Sequence, residues 1–399
     1  MNCQGPANRQ GARGNEDATA GQCKANESRG TRMRRRADVA LLGQGKVLRL
    51  KGSPYEQGRQ LGAGTADLIR ENLALTRTQR QEVDTGRDCT DYDAVTRRNE
   101  KWVAREFPEL LEEIAGIAEG AEVDRGELLS MNLNPHLTYV HSAVQECTQV
   151  LAMGSATIDG KTYVGKTRDL QRGPTRQVVL QREHANGGFT NELTPAGRMT
   201  ILDGINQHGL SLTCSGQWSS RVRVDLSRAD SAWLLLNLQP ILRRARSAGE
   251  AVRMITEQPR ACGMIVLAAD ESRAVALEVT DREVREFEPE DDLLVRTNHF
   301  CSPDFRHLTP TFEEYRSTYD RHVRASQILR ERCGRIGMHD ILRILSDHAE
   351  PPMESICRHE GEGKSQTYAA IINCPEDRTM WVTIGNPCEG IQAVGRPGE

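Results

Sequence analysis

The order of apolar and polar positions changes texture along the chain. Residues 1 to about 37 carry Gly, Asn, Arg and small polar side chains without an apolar period. Such a stretch buries too little apolar surface to offset chain entropy, so disorder is predicted there. Residues 47–50 read as a short strand, and Ser53-Pro54 then opens a helix, a capping hydroxyl followed by proline at the first helical position. Tyr55, Gly58, Gly62 and Ala66 recur three or four apart. One face of that helix is therefore small and is expected to admit another backbone closely. Each helical glycine costs about 1 kcal/mol against alanine, which that packing must offset. Helical periods continue over 91–107. They resume after Pro108, with Leu110, Leu111, Ile114, Ile117 and Ala118 on one face and Gly120 as the expected stop. Asp124 caps a shorter helix through Leu129. Residues 134–146 read as an exposed connector at which a chain can be cut.

After Cys147 the pattern becomes strand-like. Strands are predicted at 148–157, 161–167, 177–184, 200–205, 210–215, 263–268, 274–280, 293–298, 367–374 and 379–384, and helices at 229–247, 250–257, 311–332 and 338–346. Asp159-Gly160 between the first two strands is a strong hairpin signal, because both turn residues must accept positive φ. Residues 206–209 read as another turn. The first hairpin places Cys147, at the start of one strand, near Asp169, just past the end of its partner. Strands, then helices, then strands again predict an α+β fold with sheet on sheet and helices outside.

Composition narrows the function. The chain of 399 residues has a net charge of -4, so no global field draws it to nucleic acid or a membrane. Aromatic residues at 4% argue against a base-stacking platform. No apolar run approaches the ~20 residues that span a bilayer. The cluster Arg32, Arg34, Arg35 and Arg36 reads as a solvated tail, and Met33 is an alternative start. No apolar signal-peptide core is visible. The 11 cysteines are scattered, with no C-x-x-C pair, which fits a reducing cytoplasm with most thiols buried. His299 with Cys301 and Cys357 with His359 are isolated pairs, short of the three or four ligands a zinc site wants, so no metal is expected.

The Cys147-Thr148 start, the Asp159-Gly160 hairpin, the Gly165 to Asp169 ending and the later Thr297-Asn298-His299-Phe300 resemble the acyl-coenzyme A:6-aminopenicillanic-acid acyltransferase family in order and spacing. Those are self-cleaving N-terminal-nucleophile (Ntn) enzymes, and the likeness runs from about Leu50 to the C-terminus. It implies a four-layer αββα sandwich with an α-helical N-terminal pro-segment. It implies a cut between Glu146 and Cys147, with 38–146 as the mostly helical small chain and 147–399 as the catalytic large chain, the two held as a heterodimer. A free thiol titrates near ~8.5 and needs a base. The cut supplies one, because Cys147 gains an α-amine of pKa near ~8. By the same resemblance Asn298 is the side-chain oxyanion donor and Asp169 the acid that holds the amine or positions the nucleophile. Arg168, Asn206 and Ser215 are candidate substrate-binding residues, and Ser365 and Thr367 lie where the family carries a hydroxyl. One departure stands out: Glu146 occupies the position before the nucleophile, commonly glycine in the family. No cofactor is expected. The expected partners are small N-acyl or peptide-like amides, with acyl-coenzyme A or an acyl-carrier thioester as acyl donor. Two other readings stay open: an uncut, inactive relative serving as a binding scaffold, and a Cys-His enzyme using His136 or His141.

Overall fold

The computed structural model describes residues 38–42, 45–84, 91–134, 145–170, 175–201, 203–217, 221–222, 234–349, 354–360 and 365–397. The predicted disorder over 1–37, His136, His141 and the start of the helix predicted from residue 229 lie outside these residues. The strands are β1 (Asp38–Leu42), β2 (Gly45–Lys51), β3 (Gln145–Ala152), β4 (Tyr163–Leu170), β5 (Gln177–Glu183), β6 (Phe189–Pro195), β7 (Asp203–Asn206), β8 (Ser211–Gly216), β9 (Met264–Ala269), β10 (Ala274–Val279), β11 (Val284–Phe287), β12 (Leu293–Arg296), β13 (Gln366–Cys374), β14 (Thr379–Ile384) and β15 (Gln392–Val394). The helices are α1 (Pro54–Asp84), α2 (Tyr92–Glu106), α3 (Pro108–Ala121), α4 (Arg125–Leu133), α5 (Leu234–Arg244), α6 (Ala248–Glu257), α7 (Arg316–Arg332) and α8 (Met338–Leu345).

Two sheets form, one in the order β1-β2-β5-β6-β7-β8-β9-β10-β11 and one in the order β12-β3-β4-β13-β14-β15. The alternation of side chains along each strand sorts the core into layers. Val47, Val179, Leu193 and Ile205 of the larger sheet meet Ala369, Ile371 and Val382 of the smaller one. Their sequence neighbours Leu48, Leu50, Val178 and Leu180 face outward onto α1, α3 and α4. Further along the same sheet, Leu212, Val266 and Leu277 pack on α5 and α6 through Leu238, Ile241 and Ile255. On the far side, Val150, Ala370 and Ile372 pack on α7 and α8 through Leu329, Ile341 and Ile344. The order helix, sheet, sheet, helix is the αββα sandwich that the sequence predicted.

The lead segment is built into this sandwich. β2 pairs with β5 in parallel, from Lys46 opposite Val178 to Lys51 opposite Glu183. Glu113 of α3 is fully buried against Arg182 of β5 at 2.6 Å, and the same guanidinium reaches Glu192 of β6 at 2.8 Å. Those buried charges explain why β6 escapes a hydrophobic pattern: Thr190 donates to Glu192, Glu192 pairs with the arginine, and the buried Asn191 donates to the carbonyls of Val394 and Gly395.

The small face of α1 does what its glycines suggest. A Cβ on Gly58 or Gly62 would fall under 3.0 Å from backbone atoms of α3, and a Cβ on Gly116 or Gly120 under 3.0 Å from backbone atoms of α1. Gly120 is thus a packing residue inside α3, not its stop. The left-handed terminal position falls to Glu122 at φ 54°. The N-terminus of α1 carries the expected cap, elaborated into a capping box: Ser53 N donates to Glu56 Oε2 (2.9 Å) and Glu56 N donates to Ser53 Oγ (3.3 Å).

The β3–β4 hairpin is present, but its turn is longer than Asp159-Gly160. Pairing ends at Ala152 opposite Tyr163, and the connection includes a 3₁₀ turn at Gly154–Ala156. Gly160 does take positive φ, 74°.

Gly116→Ala gains helix propensity of about 1 kcal/mol, yet its methyl meets the Tyr55 carbonyl. A net loss of about 1–3 kcal/mol is expected from urea unfolding, the usual cost of forced overpacking. Gly249→Ala in α6, whose nearest neighbour lies 3.7 Å away, should be neutral or slightly stabilising.

Candidate active site

The register of β3 on β4 sets Cys147 opposite Arg168 and Glu146 opposite Asp169. Opposed residues of an antiparallel pair share a face, and successive residues alternate faces. Cys147 and Arg168 therefore face the space between the sheets, whereas Glu146 and Asp169 face the helical layer with α7. This corrects two expectations. Asp169 lies within β4 rather than past its end, and the hairpin does not set its carboxylate beside the Cys147 thiol.

What joins the two faces is the backbone of Cys147. Its amide donates to Asn298 Oδ1 at 2.9 Å. Asn298 follows β12, its own amide donates to Thr318 Oγ1 on α7 (2.8 Å), and its Nδ2 donates to Gly216 O at the end of β8 (2.8 Å). Arg321, fully buried on α7, donates to Asn298 Oδ1 (2.9 Å), to Thr148 Oγ1 (3.0 Å) and to the Cys147 carbonyl. Cys147 is 1% exposed.

Glu146 is 3% exposed, so the bond before Cys147 sits in a buried strand rather than in the exposed connector expected over 134–146; residues 135–144 are not described. Its Oε2 pairs with Arg358, accepts from Ser317 Oγ at 2.9 Å and lies 3.7 Å from Arg321. Burial alone pushes this carboxyl upward, but the fields of Arg321 and Arg358 prevail and bring it down to about 2. Asp169 accepts from Thr367 Oγ1 at 2.6 Å and lies 3.9 Å from Arg358. There burial prevails over the same two arginines and raises the carboxyl above its ordinary value.

On the other face, Asp203 accepts from Lys166 Nζ (2.8 Å) and Arg168 Nη1 (3.0 Å), all three buried. Arg168 Nε donates to Tyr368 OH at 3.0 Å. A register shift between Thr367 and Ala369 accompanies that placement, as a β-bulge re-aims a side chain. Burial works against the charge of Arg168, yet Tyr368, Asp203 and the Cys147 thiol together raise its pKa.

The remaining expected residues divide. Ser215 lies two residues beyond Thr213, whose hydroxyl donates to Gln149 Oε1 on the Cys147 face of β3. The Ser215 hydroxyl is buried and has no hydrogen-bond partner among the described residues. Asn206 does not join the site. Its Nδ2 donates to the carbonyls of Leu242 and Ala245, and its Oδ1 accepts from His208 N and Leu210 N. That uses the full capacity of the amide in stapling the 206–209 turn to α5, which corrects its reading as a substrate contact. Ser365 accepts from Arg358, and Thr367 holds Asp169. A cleft of about 320 Å³ lined by Gln177, His359, Thr367, Tyr368 and Asn386 reaches this wall.

Sequence reasoning missed Arg321, Arg358 and Ser317. The one signal was compositional: Ser317, Thr318 and Arg321 form a polar stripe at helical spacing, which reads as a solvent face unless the opposing strand is known to carry Glu146.

A folded-state pKa near 2 against 4.5 unfolded means that Glu146 contributes stability above about pH 4.5 and loses it as pH falls towards 2. The shift corresponds to about 3 kcal/mol. In a Cys147→Ala background, Glu146→Gln should remove this acid dependence. Urea unfolding should show the two proteins separated at pH 6 and converging towards pH 2, whereas a constant gap contradicts the clamp.

Comparison with known proteins adds the lineage. The family model described as acyl-coenzyme A:6-aminopenicillanic acid acyl-transferase matches residues 156–389. No curated protein matches this sequence. Solved structures that resemble it include a mutant of conjugated bile acid hydrolase from Clostridium perfringens, at 14% identity over 63% of this chain and 93% of that one, TM-score 0.46. Penicillin V acylase from Agrobacterium tumefaciens aligns at 14% identity over 60% and 83%, TM-score 0.43. A Caenorhabditis elegans N-acylethanolamine-hydrolyzing acid amidase ortholog aligns at 16% over 57% and 92%, TM-score 0.40. The family match spans more than half of the chain, from just after β3 to the last 3₁₀ turn, and on it the protein belongs to the acyl-coenzyme A:6-aminopenicillanic acid acyl-transferase family.

Proposed function

We propose that the protein cuts itself between Glu146 and Cys147 and then breaks or transfers linear amide bonds through a thioester on Cys147. The observation that carries this is the fixed position of the Cys147 nitrogen, 2.9 Å from Asn298 Oδ1, with Arg321 gripping both Asn298 and the Cys147 carbonyl. That nitrogen is an amide in the uncut chain and the base in the cut one.

In the first reaction Cys147 Sγ adds to the Glu146 carbonyl, the thiol proton passes to the Cys147 nitrogen, and the C–N bond breaks to leave a thioester. Water then hydrolyses the thioester, freeing the Glu146 carboxylate and the thiol. Burial of this bond closes it to an outside protease, which favours an intramolecular attack. Arg358 and Arg321 hold Glu146 in place during the step, a task glycine could not share. In the second reaction the α-amine accepts the thiol proton as sulfur attacks the substrate carbonyl, then returns it to the leaving amine. Asp169 and Asn298 position that amine. Asn298 Nδ2 is the proposed oxyanion donor, and it must exchange its present partner, Gly216 O, to serve. Where an amine takes the acyl group, an acyl-coenzyme A or acyl-carrier thioester is the proposed donor. The parallel β2–β5 pairing and the buried Glu113–Arg182 pair support a heterodimer that stays together after the cut.

The Glu146 clamp also suggests the acyl class. The first acyl group borne by the sulfur carries a carboxylate at the end of a two-methylene arm. Once that strand end moves aside, Arg358 and Ser317 face a substrate acyl chain hung from the same atom. Acyl groups ending in a carboxylate, such as glutaryl, are therefore the proposed preference.

Intact-mass analysis should find two fragments in the wild type, the larger beginning Cys147-Thr148-Gln149, and a single chain in Cys147→Ala. A wild type that stays intact on long incubation yet hydrolyses amides contradicts the terminal-amine mechanism. Glutaryl anilide should exceed butyryl anilide by about tenfold or more in kcat/KM, as one charge-assisted hydrogen bond allows. Arg358→Met should erase that preference.

A further inference from the structure

Beyond the strand that carries Asp169, four side chains from three separate places in the sequence converge. Cys357 and His359 flank Arg358, His348 follows α8, and Cys388 sits in the 3₁₀ turn at Pro387–Glu389. Their ligand atoms all lie within 4.8 Å of one another. Cys357 Sγ and Cys388 Sγ are 3.7 Å apart, Cys388 Sγ is 3.3 Å from His359 Nε2, and the rings of His348 and His359 stack with centroids 5.3 Å apart.

The sulfur–sulfur distance and the Cys388–His359 distance are close to those of a tetrahedral metal shell. Zinc–sulfur bonds of about 2.3 Å and zinc–nitrogen bonds of about 2.0–2.1 Å at tetrahedral angles put sulfurs roughly 3.8 Å apart and sulfur from nitrogen roughly 3.6 Å. Two thiols and two imidazoles in that arrangement select zinc among common divalent ions. The supporting contacts fit as well: Asn386 Nδ2 donates to Cys357 Sγ (3.4 Å) and to Arg358 O (2.8 Å). In the sequence Cys357 and His359 stand as an isolated pair, from which no metal is expected. The fold corrects that count, because it brings Cys388 from beyond β14 and His348 from the end of α8.

We propose that His348, Cys357, His359 and Cys388 bind one Zn²⁺ as a closed structural site that fixes Arg358 against Glu146 and Asp169. Two thiols lose their protons on binding, and four protein ligands leave no open position for substrate. Arg358 is the residue between two of the ligands. Its backbone is tied to β13, Arg358 N donating to Thr367 Oγ1 at 3.0 Å and Arg358 O accepting from Thr367 N at 2.9 Å. The preceding stretch is tied back by Cys357 N to Asp347 O at 3.0 Å, with Asp347 gripped by Arg324 through two bonds of 2.9 and 2.8 Å. Arg358 is in this sense a positioned residue whose anchor is the metal. The binding claim does not depend on whether Cys147 is the nucleophile.

The test is elemental analysis of the full chain, purified without a histidine tag and dialysed against metal-free buffer. About one zinc per chain is expected in the wild type. Cys388→Ser should drop the content at least tenfold, while Cys301→Ser, outside the cluster, should leave it unchanged. Should Cys388→Ser fail to fold, Co²⁺ exchange into the wild type gives an independent readout, with thiolate charge-transfer and intense visible bands of a tetrahedral site expected. Hydrogen exchange over 354–360 should rise when the metal is removed. A wild type with less than about a tenth of a zinc per chain, cobalt spectra without thiolate bands, or a Cys357–Cys388 disulfide in non-reducing peptide maps would each overturn the proposal.

Discussion

The site depends on two buried guanidinium groups. Arg321 and Arg358 place two positive charges where the sandwich has excluded water, and such charges are tolerated only when paired and fully hydrogen-bonded. Glu146, Asp169, Ser317, Ser365, Asn298 and the Cys147 carbonyl supply those partners. Every group that holds the Cys147 nitrogen in place is thereby tied to the charge balance of the helical layer. The same constraint explains the departure at residue 146. An acidic side chain there neutralises an arginine pair that a glycine would leave short of one buried carboxylate.

The two faces of the β3–β4 hairpin then divide the work. One face holds the thiol with Arg168, whose charge is fixed by Asp203 and Tyr368. The other holds the carboxylates and the arginines. The backbone amide of Cys147 crosses between them through Asn298. A strand is suited to this, since one residue offers its side chain to one layer and its nitrogen to a group reaching round the strand end. The lead segment completes the larger sheet through β2 and shares its core with β5, so its packing does not end where the proposed cut falls.

Much of this was legible in residues and some was not. The glycine face of α1, the Asp124 cap and the 206–209 turn follow from local rules, because propensity and φ are properties of a few neighbours. The hairpin was legible, but its tight turn was not, since the chain inserts a 3₁₀ turn that Asp159-Gly160 does not announce. β6 was hidden because it buries the polar run Thr190, Asn191 and Glu192, with Glu192 matched to Arg182 from another strand and Asn191 to carbonyls near the C-terminus. Cys147, Asp169 and Asn298 were singled out by order and spacing, yet how they lie relative to one another was not legible: the register puts the thiol and the carboxylate on opposite faces. Arg321, Arg358, His348 and Cys388 act across long sequence separations, where only the completed fold supplies the neighbour.

On this mechanism the Cys147 thiol of the uncut chain reacts only with its own neighbouring carbonyl, and it becomes a nucleophile towards outside molecules once its nitrogen is released. The direct measurement is alkylation of Cys147 by iodoacetamide across pH, followed by mass mapping of cut and uncut molecules from one preparation. Label is expected on chains that begin at Cys147, with a rate that follows a single group titrating near ~8, and little label on chains in which Cys147 is still joined to Glu146. Equal labelling of both forms with the same pH profile would contradict it.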